Sequence, residues 1–140
     1  RLRPYIEHCD DCAAAFLRGF FDSEGSVRED GEISIVNTDL GILRYVRRLL
    51  GRLGIEVRGP RLQKPKGTPM YFPGRRKAYK KKDCFVMRIR KHCNPTYYQR
   101  VGFTITRKKR RLKKYLEKRL GHKPLPQTFS PSHLYLNGKV

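Results

Sequence analysis

Two carboxylates one residue apart, Asp22 and Glu24 in FLRGFFDSEGSV (Phe16 to Val27), are the groups in this chain whose placement most demands chemistry. The stretch before them, Asp11 to Phe21, is helix-forming and mostly apolar, and Gly25 stands where a C-terminal cap belongs. A helix C-terminus carries partial negative charge, so acids there cost about 0.3 kcal/mol or more. Something positive must sit beside them.

Sulfur and imidazole offer a second chemistry. Cys9 and Cys12 form a CxxC pair with His8 beside it, while Cys84 and Cys93 are spaced by eight intervening residues with His92 next to the latter. The second spacing fails the zinc-finger pattern, and Cys84 falls in a strand-like run. The expectation is four reduced, partly buried thiols in an intracellular protein.

The chain carries 33 Lys and Arg against 12 Asp and Glu, a net charge of +21 over 140 residues. Such a field repels the chain from itself and calls for a polyanion, with nucleic acid the leading partner. An anionic membrane is disfavoured, because the sequence has neither an 18-residue apolar run nor a basic amphipathic helix rich in exposed aromatics. No secretory signal is visible, so the expected location is intracellular, in the cytoplasm of a prokaryote or an organelle, and not secreted.

Helix and strand periods alternate along the chain. Ser26 to Val36 reads as a hairpin turning at Asp30-Gly31, with Val27, Ile33 and Ile35 on one face and Ser26, Arg28, Glu32 and Ser34 on the other. Thr38 or Asp39 caps a helix carrying Leu40, Leu43, Val46, Leu50 and Leu53, ending at Gly54. Val57 to Leu62 and Cys84 to Arg90 form a second strand pair across a polar loop, Gln63 to Asp83. In the later strand Phe85, Met87 and Ile89 alternate with Val86, Arg88 and Arg90, so arginines line the face opposite the core. Asn94-Pro95 opens a short helix ended by Gly102, and a basic helix with Leu112, Leu116 and Leu120 follows.

The expected architecture is α+β, ordered α-β-β-α-β-β-α-α, with a curved antiparallel sheet covered by helices on one face. One domain spans 1–120, and 121–140 is an irregular tail in which Leu134, Tyr135 and Leu136 dock. A curved ribbon of this kind fits the DNA major groove, where Arg reads guanine and Gln reads adenine. Arg28, Arg58, Arg61, Gln63, Arg88 and Arg90 are the candidates for base reading, with Ser26, Glu32 and Ser34 on the same surface. The loop RRKAYKKK, with Arg75, Arg76, Lys77, Tyr79 and Lys80, and the helix from Arg107 to Arg119 together hold 15 of the 33 cations. These are read as phosphate contacts, which set affinity and salt dependence.

Ala15 and Gly19, at i and i+4 on the first long helix, are small enough to admit another backbone or to pack on the chain's own sheet. The nine residues LRGFFDSEG, Leu17 to Gly25, resemble the signature of the LAGLIDADG homing endonucleases. Its Leu, Gly, Asp, acidic and Gly positions are kept, Phe20-Phe21 supplies the hydrophobic pair, and Arg18 replaces an alanine. The element order, the GSV entry to the hairpin and VGFTITRKK before the basic helix extend the likeness over roughly Cys12 to Leu120.

The resemblance implies a single-motif, intron-encoded, site-specific double-strand DNA endonuclease. In that family signature helices pack at a symmetry axis, which puts Ala15, Arg18, Gly19 and Asp22 at a homodimer contact. The final acid, here Glu24, binds divalent metal over the scissile phosphate, with the Gly25 carbonyl beside it. Mg²⁺ is the expected ion, with Ca²⁺ or Mn²⁺ as substitutes. Asp22 is expected to hydrogen-bond near the helix end. Arg107 or Lys108 would neutralise charge on the phosphate, and Asn37 or Thr38 would order water unless Thr38 caps its helix. One Glu24 cannot serve two strands, so a C2 homodimer on a roughly palindromic target is expected. The rival reading is a non-catalytic relative, an intron RNA maturase or a DNA-binding regulator of the same fold.

Overall fold

The computed structural model describes residues 2–70, 74, 78–79 and 82–119, with 78–79 as backbone alone. Arg75, Arg76, Lys77, Lys80, Leu120 and the tail 121–140 lie outside the described residues.

A short turn of helix, α1 (Arg3–Ile6), leads into the signature helix α2 (Asp10–Glu24). Cys9 caps it in extended conformation, its sulfur accepting the Cys12 N–H, and Asp10 and Asp11 complement the positive end of the dipole. Ala13, Ala14, Leu17 and Phe21 are buried at helical spacing. The helix ends at Glu24 with Gly25 as its cap, as expected; the Gly25 N–H bonds Phe21 O and a distant ammonium covers the last carbonyls. Gly25 is not a left-handed cap: its φ is −90°.

The hairpin β1 (Gly25–Val27) and β2 (Ile33–Asn37) forms as expected around Gly31, whose φ is +88°. Helix α3 (Leu40–Arg52) is capped by Asp39, which accepts the Ile42 N–H at 3.1 Å; Thr38 makes no cap. Its buried face is Leu43, Tyr45, Val46, Leu49 and Leu50, whereas Leu40 is half-exposed. Strands β3 (Val57–Lys64) and β6 (Cys84–Ile89) complete an antiparallel sheet of order β1-β2-β6-β3. The stretch expected as a plain loop contains a second ladder, β4 (Pro69–Met70) with β5 (Ala78–Tyr79). A 3-10 turn, Lys91–Cys93, precedes α4 (Asn94–Arg100), and α5 (Thr106–Arg119) closes the described chain.

The core lies between the sheet and the helices: Val27, Ile33, Ile35, Met87 and Ile89 meet Leu17, Phe21, Leu43, Val46, Tyr97 and Leu112. The α+β class and the antiparallel sheet are as expected from sequence, and so is the element order apart from the added α1, the β4/β5 ladder and the 3-10 turn. One face departs from the simple alternation. Cross-strand partners share a face, so Cys84 and Val86 lie on Arg88's side, yet both are buried, at 4% and 2% exposure.

Candidate functional site

The end of α2 brings three elements together. Glu24 is the last helical residue and is exposed. Asn37, at the end of β2, donates from Nδ2 to Glu24 Oε1 at 3.5 Å, while its own Oδ1 accepts the Asp39 N–H at 2.8 Å. Asn37 is thus the residue between Glu24 and the start of α3; Thr38 is exposed and makes no such contact among the described residues.

The positive charge demanded by the acids comes from α5. Lys108 is 8% exposed, and its Nζ donates to Phe21 O at 3.1 Å and Asp22 O at 2.6 Å. An ammonium on the final carbonyls satisfies groups that every helix C-terminus leaves orphaned. Burial pushes the Lys108 ammonium below the ordinary lysine range, Asp22 pulls it back, Arg107 lowers it further and Glu24 raises it. Arg107, in the first turn of α5, is exposed.

Asp22 turns its carboxylate toward α5 as well. Oδ1 accepts the N–H groups of Thr104 at 3.0 Å and Ile105 at 3.3 Å, and Oδ2 accepts the Thr104 hydroxyl. Arg18 Nε donates to Val101 O at 2.7 Å. Ala15 and Gly19 are exposed, and a Cβ on Gly19 would meet nothing within 4 Å. That settles the sequence alternative for these two positions: the chain's own sheet does not cover them.

Gly25 is required by space, not by φ. A Cβ there would stand 2.8 Å from both the ring and the carbonyl oxygen of Phe21. Gly25→Ala is expected to cost about 1–3 kcal/mol, read as a lowered urea midpoint, because the helix-end carbonyl cannot yield without breaking its bonds. An unchanged midpoint would show that the junction relaxes freely.

The outer sheet face carries one row across all four strands: Ser26 opposite Ser34, Ser34 opposite Arg88, Arg88 opposite Arg58. A register shift between Arg58 and Arg61 puts both on this face, because Arg61 stands opposite Val86. Several of the arginines are already paired. Glu32 meets Arg28 at 3.2 Å and Arg88 at 3.1 Å, and Glu56 lies 3.8 Å from Arg90. Arg58 and Arg61 are exposed and have no acidic partner among the described residues, and Gln63 is exposed beside them. Lys91 and His92 join Glu32, Arg58, Arg88 and Arg90 around a cavity of about 300 Å³; the sequence reading missed these two because they fall after the strand ends. Lys64, opposite Cys84, is a further outward cation that it missed. Tyr79 is placed only as part of β5. A groove of about 620 Å³ along α5 is lined by Arg107, Arg110, Arg111, Lys114, Lys118 and Tyr115, among others.

The cysteines divide. Cys84 and Cys93 are buried apart from the CxxC pair, with Cys93 Sγ accepting the Glu56 N–H and His92 facing Glu56. Cys9 and Cys12 are free and half-buried, and hydrogen bonds from His8 and then Cys12 lower the Cys9 thiol to about 7.

No helix among the described residues is long and apolar enough to cross a membrane. The family model for a LAGLIDADG-like domain matches residues 11–119. The chain is also similar to the uncharacterized protein MJ0398 of Methanocaldococcus jannaschii, with 39% identity over 103 residues, which are 73% of this chain and 37% of that relative. It therefore spans little more than a third of that relative's length. No solved structure matches.

Proposed function

Because the chain belongs to the LAGLIDADG family, we propose that it is a divalent-metal-dependent, site-specific double-strand DNA endonuclease of the homing type, acting as a homodimer. The observation that carries the reading is the exposed Glu24 carboxylate at the negative end of a 15-residue helix, beside a sheet face bearing outward arginines. Its oxygens suit a hard cation, and among the described residues its hydrogen-bond partner is Asn37 at 3.5 Å. Glu24, with the neighbouring Gly25 carbonyl, would hold Mg²⁺. When bound, that ion supplies positive charge against the phosphate and makes water in its shell more acidic.

The chain's own residues do the rest. Asn37 steadies the Glu24 side chain. Lys108, through Phe21 O and Asp22 O, fixes the turn from which Glu24 projects and keeps positive potential beside it. Arg107, exposed on the same helix, is the cation free to approach a phosphate. Arg58 and Arg61 read bases, since they give up no ion pair to do so, whereas Arg28, Arg88 and Arg90 must first exchange Glu32 or Glu56 for DNA. The exposed Ala15 and Gly19 let a second α2 approach closely, placing two Glu24 residues on opposite strands.

The test is incubation with Mg²⁺ and a plasmid library of candidate sites, read as linearised DNA at a recurrent, roughly palindromic sequence. Complete absence of cutting with tight, sequence-specific binding would instead favour a regulator of the same fold. Binding to the selected site should weaken steeply with salt, with a log–log slope of about −0.9 per phosphate contacted. A flat response would remove the electrostatic account of the +21 charge.

A further inference from the structure

We propose that His8, Cys9 and Cys12 form a zinc-binding site at the N-terminal end of α2, separate from the Glu24 carboxylate and independent of the nuclease reading. The three donor atoms all lie within 4.8 Å of one another. The two sulfurs are 3.1 Å apart, and Cys12 Sγ is 4.0 Å from His8 Nδ1. A tetrahedral Zn²⁺ with Zn–S of about 2.3 Å and Zn–N of about 2.0 Å needs S···S near ~3.8 Å and S···N near ~3.5 Å. The sulfur pair is about 0.7 Å short of that geometry, the Cys12–His8 pair about 0.5 Å long and the remaining pair within 4.8 Å, so side-chain rotations on the order of an ångström would close the site.

The backbone around the donors is held in place. Tyr45 donates its hydroxyl to Glu7 Oε2 at 2.7 Å, and Arg52 donates to Glu7 O at 3.0 Å and to Asp10 Oδ1 at 2.9 Å. Residues on both sides of His8-Cys9 are therefore pinned to α3, which lowers the ordering cost of assembling the ligands. The Cys12 N–H already points at Cys9 Sγ, at 3.3 Å, and would stabilise it as a thiolate ligand.

Donor chemistry selects the ion. Two thiolates and an imidazole suit Zn²⁺ and disfavour Mg²⁺, which takes oxygen. Three protein ligands leave a fourth position for water, reachable because His8 is exposed and the cysteines are half-buried. The site and Glu24 stand at opposite ends of a helix, roughly 20 Å apart at 1.5 Å per residue. Cys12 also lies one turn before Ala15 on the bare side of α2, so a bound ion would fix the start of the helix that a second copy meets.

Cobalt is the probe. The full chain, reduced and metal-free, should take up one Co²⁺ with thiolate-to-cobalt charge-transfer absorption, and Zn²⁺ should displace it. Zn²⁺ should raise the melting temperature and Mg²⁺ should not. Cys9→Ser, Cys12→Ser and His8→Ala should each weaken Co²⁺ binding by at least about 10-fold, with circular dichroism reporting that each variant is folded. Cys84→Ala should bind as the parent does. No charge-transfer band in the folded parent, or an undiminished band in the Cys9→Ser/Cys12→Ser double variant, overturns the proposal. So does rapid loss of two thiols in air by a chain that takes up no Co²⁺ when reduced, which would make the pair a disulfide-forming couple. None of these readouts depends on DNA cleavage.

Discussion

Glu24→Gln is expected to lower cleavage by more than ~100-fold while leaving DNA binding intact. Even an outer partner of a metal ligand is worth about 10–100-fold, and Glu24 is proposed as the ligand itself. The substitution keeps the shape of the side chain and an oxygen for Asn37 Nδ2, but removes the negative charge. It also removes an acid from the negative end of α2, where a negative charge is unfavourable by about 0.3 kcal/mol or more. The variant should therefore be as stable as the parent or slightly more so. Activity lost without stability lost is the mark of a residue kept for chemistry. Mixed dimers of one parent and one Glu24→Gln chain should nick the target instead of cutting both strands, if each copy serves one strand. A variant that cuts at the parental rate would remove Glu24 from the mechanism.

The same helix end shows what sequence could and could not reveal. The acids at Asp22 and Glu24 were visibly misplaced by the dipole argument, and the nine-residue signature pointed to the second of them. Gly25 showed where the helix stops, but not what satisfies its end: Lys108 covers Phe21 O and Asp22 O from another helix. No local pattern encodes that contact. Strand alternation revealed the polar face with Ser26, Ser34 and Arg88, since period 2 is a local property. It did not reveal that Glu32 also engages Arg88 or that Glu56 engages Arg90, because those pairings depend on strand order and register. The two-residue ladder β4/β5 is too short to show any period. Spacing alone left Asn37 and Thr38 equivalent, because which of them reaches Glu24 depends on how β2 leads into α3; in the structure it is the Asn37 amide.

Asp22→Ala is expected to be the most destabilising single change at this site. The Asp22 carboxylate accepts the Thr104 and Ile105 N–H groups and the Thr104 hydroxyl, just before α5 begins at Thr106. Helix α5 has no acidic residue in its first turn, and Arg107 and Lys108 put cations at its positive end. Asp22 supplies from α2 the anion that α5 lacks. Hydrogen bonds to a charged group contribute about 1.5–3 kcal/mol, and loss of an N-terminal cap costs about 0.5–2 kcal/mol. Water reaches Thr104, so these do not add fully, and the expected loss is about 2–3 kcal/mol. For a domain of this size that is a fall of roughly 10 °C in melting temperature. Asp22→Asn should fall in between, since its amide oxygen still accepts but carries no charge. The resemblance also puts Asp22 at the contact between copies, and protein concentration separates the two roles. A loss that is the same at every concentration belongs to the latch within one chain, whereas a loss that grows on dilution belongs to the dimer. No change in melting temperature would mean that the α2–α5 junction is held without this carboxylate, and Lys108 would then be its principal tie.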